Sequence, residues 1–171
     1  MKCLVSLVLS LALLSPIVAL GADISGKVVR VIDGDTFVLL VENADGSKQQ
    51  QRVRITSIDC PEETQAYYQV AKDHLGKLIH EHVVKIEPKK TDIHGRTVAK
   101  VIYEGKDIGL EQVRAGLAWY ARAYASALSL EEQGWYLSAE SAARRQREGL
   151  WTDANPTPPW AFRKDHKRAS W

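Results

Sequence analysis

Three short runs of alternating apolar residues between Ile24 and Ile58 leave little freedom in how the front of this chain can fold. The first carries Val28, Val29 and Val31, the second spans Thr36 to Val41, and the third spans Gln49 to Ile58. Between the second and third, Asn43-Ala44-Asp45-Gly46 reads as a hairpin turn, since glycine tolerates the positive φ of a tight reversal. Side chains alternate across a strand, so Val53 and Ile55 share one face and Arg52 and Arg54 the other. Pro61 has no amide hydrogen for a sheet ladder and stops the third run. The pattern predicts an antiparallel meander with arginines on the face opposite its apolar one.

The period then changes. Gln65 to about His80 has apolar residues at helical spacing, with His74 expected as a core or boundary histidine rather than a ligand. Val83 to Glu87 reads as a strand closed by Pro88, Thr91 to Arg96 as a polar turn, and Thr97 to Tyr103 as a further strand. Ile108, Leu110, Val113 and Leu117 suggest a short helix ending near Gly116. Ser129 with Glu132 forms a capping-box pattern that opens a last helix to about Arg147. Five strands with about three α-helices predict an α+β class and a small Greek-key barrel of the OB type. Pro156, Pro158 and Pro159 predict a tail without regular structure over residues 153–171, poorly ordered except where Trp160 and Phe162 dock, and basic from Arg163 to Arg168.

The N-terminus reads as a leader over residues 1–21: Lys2, an apolar stretch from Leu4 to Leu14, Pro16, then Ala19-Leu20-Gly21 before a cleavage point at Ala22. Export to the periplasm or the medium is the expectation, an uncleaved anchor the alternative. The processed chain, residues 22–152 plus the tail, would keep 22 of the 23 Lys and Arg residues against 21 Asp and Glu. So even a balance argues against coating nucleic acid by bulk charge and requires a local patch for any polyanion. Only Cys60 survives processing, which excludes an intramolecular disulfide, and no Cys/His cluster has zinc spacing.

Chemistry concentrates in two segments, Ile32-Asp33-Gly34-Asp35-Thr36 and Arg54-Ile55-Thr56-Ser57-Ile58-Asp59-Cys60-Pro61-Glu62. Asp33 can serve the Gly34 turn, leaving Asp35 and Asp59 as oxygen ligands for a hard cation. Such a donor pair suits Ca²⁺ better than zinc and leaves Mg²⁺ open. Glu62 is the candidate general base, and its other reading is an acid near a helix N-terminus. Arg54 and Arg96 can stabilise the charge of a pentacoordinate phosphorane more than that of the starting diester. Lys85, Lys89, Lys90 and Arg122 are candidates for tracking a phosphate backbone, and Trp119, Tyr120 and His94 for stacking on a base. The reaction these residues suggest is metal-assisted phosphodiester hydrolysis.

Asp33-Gly34-Asp35-Thr36, Arg54 with Asp59-x-Pro61-Glu62, and Asp92-x-x-Gly95-Arg96 together resemble the staphylococcal nuclease (thermonuclease) family, from about Ile24 to Trp151. Pro158-Pro159-Trp160-Ala161-Phe162-Arg163 looks like a tail seen on bacterial members. The resemblance implies an OB barrel with three helices and Ca²⁺ on Asp35, Asp59 and the Cys60 backbone carbonyl. It implies Arg54 and Arg96 on the phosphate and Glu62 at the attacking water. It further implies hydrolysis of single- or double-stranded DNA and RNA to 3′-phosphate and 5′-hydroxyl ends, with little base specificity. Relative to the family pattern, Cys60 stands at a threonine position and His94 at a tyrosine position, and the lysine-rich loop after the catalytic glutamate is almost absent. No stable protein partner is implied, and a monomer is expected. A non-catalytic nucleic-acid-binding module is the competing reading. An oligosaccharide- or protein-binding barrel is the third, and it leaves the acids and arginines unexplained as a group.

Overall fold

The computed structural model describes residues 23–169, so the expected leader over residues 1–21 lies outside the described residues. The meander forms as three antiparallel strands, β1 (Ile24–Val31), β2 (Thr36–Glu42) and β3 (Lys48–Ile55). The turn between β2 and β3 is held by the Asn43 N–H on the Ser47 carbonyl (2.8 Å) and the Gly46 N–H on the Asn43 carbonyl (2.9 Å). Val53 and Ile55 are buried, while Arg52 is exposed and Arg54 lies part-way, as the alternation predicts.

A two-residue strand β4 (Ile58–Asp59) precedes the first helix, and the barrel resumes with β5 (Val83–Thr91) and β6 (Thr97–Tyr103). β5 pairs antiparallel with both β1 and β6, and β6 pairs parallel with β3 through Val53↔Thr97, Arg54↔Val98 and Ile55↔Ala99. That parallel contact closes a five-stranded barrel in the order β1-β2-β3-β6-β5. Pro88 does not end its strand: β5 runs on to Thr91, with a register shift between Pro88 and Lys90 where the missing amide is tolerated.

Short strands β7 (Lys106–Asp107) and β8 (Trp119–Tyr120) flank helix α2 (Ile108–Arg114), and β8 pairs with β4. Helix α1 (Tyr68–Ile79) begins three residues later than Gln65, because residues 62–68 turn tightly through the Gln65 N–H on the Glu62 carbonyl and the Tyr68 N–H on the Gln65 carbonyl. α1 buries Ala71, Leu75 and Ile79 against the barrel, and α3 (Leu130–Gln146) buries Tyr136 and Ala143. α3 carries both halves of the Ser129/Glu132 capping box. At Gly116 (φ 65°) an added Cβ would lie 2.3 Å from the Glu148 carbonyl oxygen, so only glycine lets the loop after α2 touch the end of α3.

The expectation of an irregular tail is overturned. Residues Pro159–Ala169 form a further helix, α4. Proline excludes helix interiors, but Pro159 stands at the first position, where its fixed φ fits and its missing N–H would have no partner anyway. Trp160 packs edge-on against Trp119 (6.4 Å between ring centroids), which in turn meets Trp151 (5.3 Å). The tail is therefore docked on the domain. No helix among the described residues is long and apolar enough to cross a membrane.

Candidate active site

The turn before β2 delivers Asp35 to the barrel rim, buried to 3% exposure. Asp33 shapes that turn by accepting the Asp35 N–H (3.0 Å), the turn-forming role expected of it. Gly34 is required for space: an added Cβ would sit 2.8 Å from both the Ala71 and the Cys60 Cβ. Gln112, fully buried on α2, ties this turn down by donating to the carbonyls of Gly34 (2.6 Å) and Ala71 (3.0 Å). Its amide oxygen must then accept from His74 Nδ1 (2.5 Å), which fixes that histidine as an Nδ1–H boundary residue.

Asp35 and Asp59 meet through Arg54. Asp35 accepts from the Thr36 hydroxyl (2.9 Å), the Cys60 N–H (3.0 Å) and Arg54 Nη1. Arg54 Nη2 donates to Asp59 Oδ1 (2.9 Å) and the Ile58 carbonyl (3.3 Å). Two segments, the Asp35 turn and the stretch from Arg54 to Asp59, thus place two buried carboxylates on one guanidinium. Burial and the neighbouring Asp35 charge push the Asp33 carboxyl up to about 7.

Arg96 projects from the β5–β6 turn and is fixed by Asp92, which accepts from Arg96 Nε (2.8 Å) and from the N–H groups of Arg96 and His94 (2.9 Å each). Burial works to raise the Asp92 carboxyl, but these donors overcome it and hold it at about 2. Asp35, Arg54, Glu62, His94 and Arg96 line one cavity of about 600 Å³. Asp59 borders an adjoining groove of about 870 Å³.

The donor chemistry fits a hard cation. Asp35 and Asp59 offer only carboxylate oxygen, the donor type a hard cation takes, although no group of three or more His, Cys, Asp or Glu able to hold a metal gathers among the described residues. Cys60 can contribute only its carbonyl: its N–H is taken by Asp35, and burial pushes its thiol well up into the protonated form.

Several expected substrate contacts are placed elsewhere. Lys85 pairs with Asp23 (2.7 Å) and lines neither cavity, whereas Lys89 and Lys90 line a third, of about 500 Å³, together with Arg54 and Arg96. Tyr120 is no exposed stacking surface: it is buried to 4% with its ring against Tyr136 (5.4 Å). Arg122 borders the groove beside Asp59, 3.6 Å from Glu140. Two residues absent from the expected site stand in it. Tyr124, half exposed, borders all three spaces with Lys90 Nζ 5.3 Å from its ring centre. Arg163 of α4 reaches Asp59 (2.8 Å) and Glu62 (2.5 Å). Pro159 at a first helical position was the available signal for α4, but nothing local signals that its Arg163 reaches Asp59 and Glu62.

The model of the family described as staphylococcal nuclease homologue matches residues 52–153. A protein named micrococcal nuclease from Shigella flexneri is 36% identical over 158 residues, covering 87% of this chain and 86% of its own. An uncharacterized endonuclease of Escherichia coli is 35% identical over 145 residues, covering 84% of this chain and 88% of its own. One of Haemophilus influenzae is 35% identical over 141 residues, covering 82% and 74%. With the closed barrel and the Asp35–Arg54–Asp59 cluster, these likenesses settle the affiliation: the chain belongs to the staphylococcal nuclease homologue family.

Proposed function

We propose that this protein is an exported, monomeric, calcium-dependent nuclease that cleaves DNA and RNA with little base preference, leaving 3′-phosphate and 5′-hydroxyl ends. That it is a nuclease, a hydrolase of phosphodiester bonds, follows from its family. The observation that carries the finer reading is the convergence of Asp35 from one segment with Arg54 and Asp59 from another, beside Glu62 and Arg96. The reading of a barrel without catalysis leaves this acid set without a purpose.

Asp35, Asp59 and the Cys60 carbonyl would hold the cation, which when bound supplies Lewis-acid neutralisation of phosphate charge. Glu62, with a side chain 38% exposed, is open to solvent and takes the proton from a water attacking phosphorus. The bond to the 5′ oxygen breaks and that oxygen leaves as the hydroxyl, taking a proton from solvent, so phosphate stays on the 3′ end. Arg54 and Arg96 hold the non-bridging oxygens, and their charge counts for more as the phosphorane gathers negative charge. Asp92 keeps Arg96 aimed, and the buried network behind Asp35 keeps its carboxylate from relaxing.

The test is cleavage of single-stranded DNA by the purified chain with Ca²⁺ and with chelator. Cleavage should vanish on chelation, and Glu62→Gln should slow turnover by about 10²–10⁴-fold with binding retained. Cleavage indifferent to chelator would remove the cation, and a fully active Glu62→Gln would remove the base. Binding without cleavage in any divalent ion would leave a binding module.

A further inference from the structure

The acidic end of the site holds a cation that the barrel does not supply. Arg163 Nη2 donates to Asp59 Oδ2 (2.8 Å), and Nη1 donates to Asp59 Oδ1 (3.2 Å) and Glu62 Oε1 (2.5 Å). Its helix is anchored: Pro159 is buried, Trp160 meets Trp119, and the Thr157 carbonyl accepts from Gln65 Nε2 (2.9 Å). The same Gln65 accepts the Glu62 N–H through its amide oxygen (2.9 Å), so the tail and the Glu62 loop share one side chain.

Arg163 and Arg54 both hold Asp59, but on different terms. The Arg54 side chain is 18% exposed and also holds Asp35 and the Ile58 carbonyl, whereas that of Arg163 is 42% exposed. Arg163 also lines both the cavity of about 600 Å³ and the groove of about 870 Å³. With both oxygens of Asp59 engaged by this guanidinium, a divalent cation arriving there meets a like charge, and one must give way. The more exposed arginine, held among the described residues by the Asp59 and Glu62 side chains, is the one that can move. Beside it, an incoming phosphate offers the paired oxygens that a planar guanidinium binds best.

We propose that Arg163 is a substrate-phosphate residue of this site. In the free protein it pairs with Asp59 and Glu62, and it passes to the phosphate when a divalent cation claims Asp59. The proposal rests on the metal reading of Asp35 and Asp59. It makes cation and nucleic acid bind cooperatively, because phosphate draws Arg163 off Asp59 and a cation on Asp59 releases Arg163 to the phosphate.

The experiment is calorimetric titration of the full chain with Ca²⁺, without nucleic acid, together with KM for a single-stranded oligodeoxynucleotide at several salt concentrations. Arg163→Gln should bind Ca²⁺ about 3–10-fold more tightly than the parent, since a competing cation is gone. Its KM should rise about 5–20-fold and its salt dependence should flatten by roughly one phosphate contact. Arg163→Lys keeps the charge without the fork, so its Ca²⁺ affinity should stay near the parent's while KM is only partly restored. Circular dichroism and thermal melting establish that both variants are folded. Unchanged or weaker Ca²⁺ binding by folded Arg163→Gln, or an unchanged KM, would overturn the proposal. A parent chain that takes up no Ca²⁺ would overturn the metal reading and this one with it, and differs from the first case because Asp35→Asn would then match its parent.

Discussion

Gln112 is the buried side chain whose removal should report most directly on how the site is held. It has no exposed surface, and its amide donates to two main-chain carbonyls, Gly34 (2.6 Å) and Ala71 (3.0 Å). Gln112→Leu keeps the volume and removes both donors. The Gly34 carbonyl, left buried without a partner, costs about 1–3 kcal/mol. Ala71, inside α1, keeps the helical Leu75 N–H and loses only a second donor, and the apolar gain from leucine offsets part of the cost. His74 loses an acceptor as well, but it is only half-buried and can turn to water at little cost. The net expectation is about 2 kcal/mol of destabilisation, or a Tm lowered by roughly 4–8 °C for a domain of this size. Urea unfolding of parent and variant, followed by the main-chain far-UV signal, measures it. Because Gly34 adjoins Asp35, cleavage below the new Tm should also slow by about tenfold through a loosened carboxylate. A loss under about 0.5 kcal/mol with unchanged activity would refute the reasoning, showing that water or a shifted helix satisfies the Gly34 carbonyl.

The other expectations concern neighbouring parts of the same frame. Gly34→Ala drives a methyl to within 2.8 Å of Ala71 and Cys60, and should cost about 1–3 kcal/mol, read from the same unfolding curves. Asp92→Ala frees Arg96 from its fixed orientation and should reduce kcat about tenfold at temperatures well below its Tm, whereas a lowered Tm with unchanged kcat would make Asp92 a stability residue only. Glu132 is driven upward by burial but held at about 2 by Lys100 and the Ser129 N–H. Its depressed value means that its contribution, about 1–2 kcal/mol after allowance for solvent screening, is complete above pH 4.5 and lost as pH falls toward 2. Glu132→Gln should therefore destabilise the chain at pH 7 and converge with the parent near pH 2, and equal destabilisation at both would refute it.

Local patterns decided the barrel strands, the two hairpin-like turns and the caps. Alternation put Val53 inward and Arg54 toward the site, and Ser129 with Glu132 started α3, because each signal is complete within a few residues. The same is true of Asp33, whose turn-forming bond spans two residues. The acids and arginines of the site were legible as a set because their order along the chain matched a family pattern.

What no local pattern carries is which distant groups become neighbours. Pro88 stays within β5 because a bulge against β6 accepts it. Tyr120 is lost as a stacking surface because α3 brings Tyr136 against its ring, while Tyr124 stands at the meeting of the cavities. Gln112 gives no sequence signal at all, since a glutamine on a helix reads as surface until the carbonyls of Gly34 and Ala71 meet it. Proline content argued against order in the tail, yet Pro159 starts a helix there once Trp119 and Gln65 offer it a place to dock. Arg163 reaches Asp59 and Glu62 by that docking alone, because a contact across more than a hundred residues depends on the packed surface and not on the sequence around it.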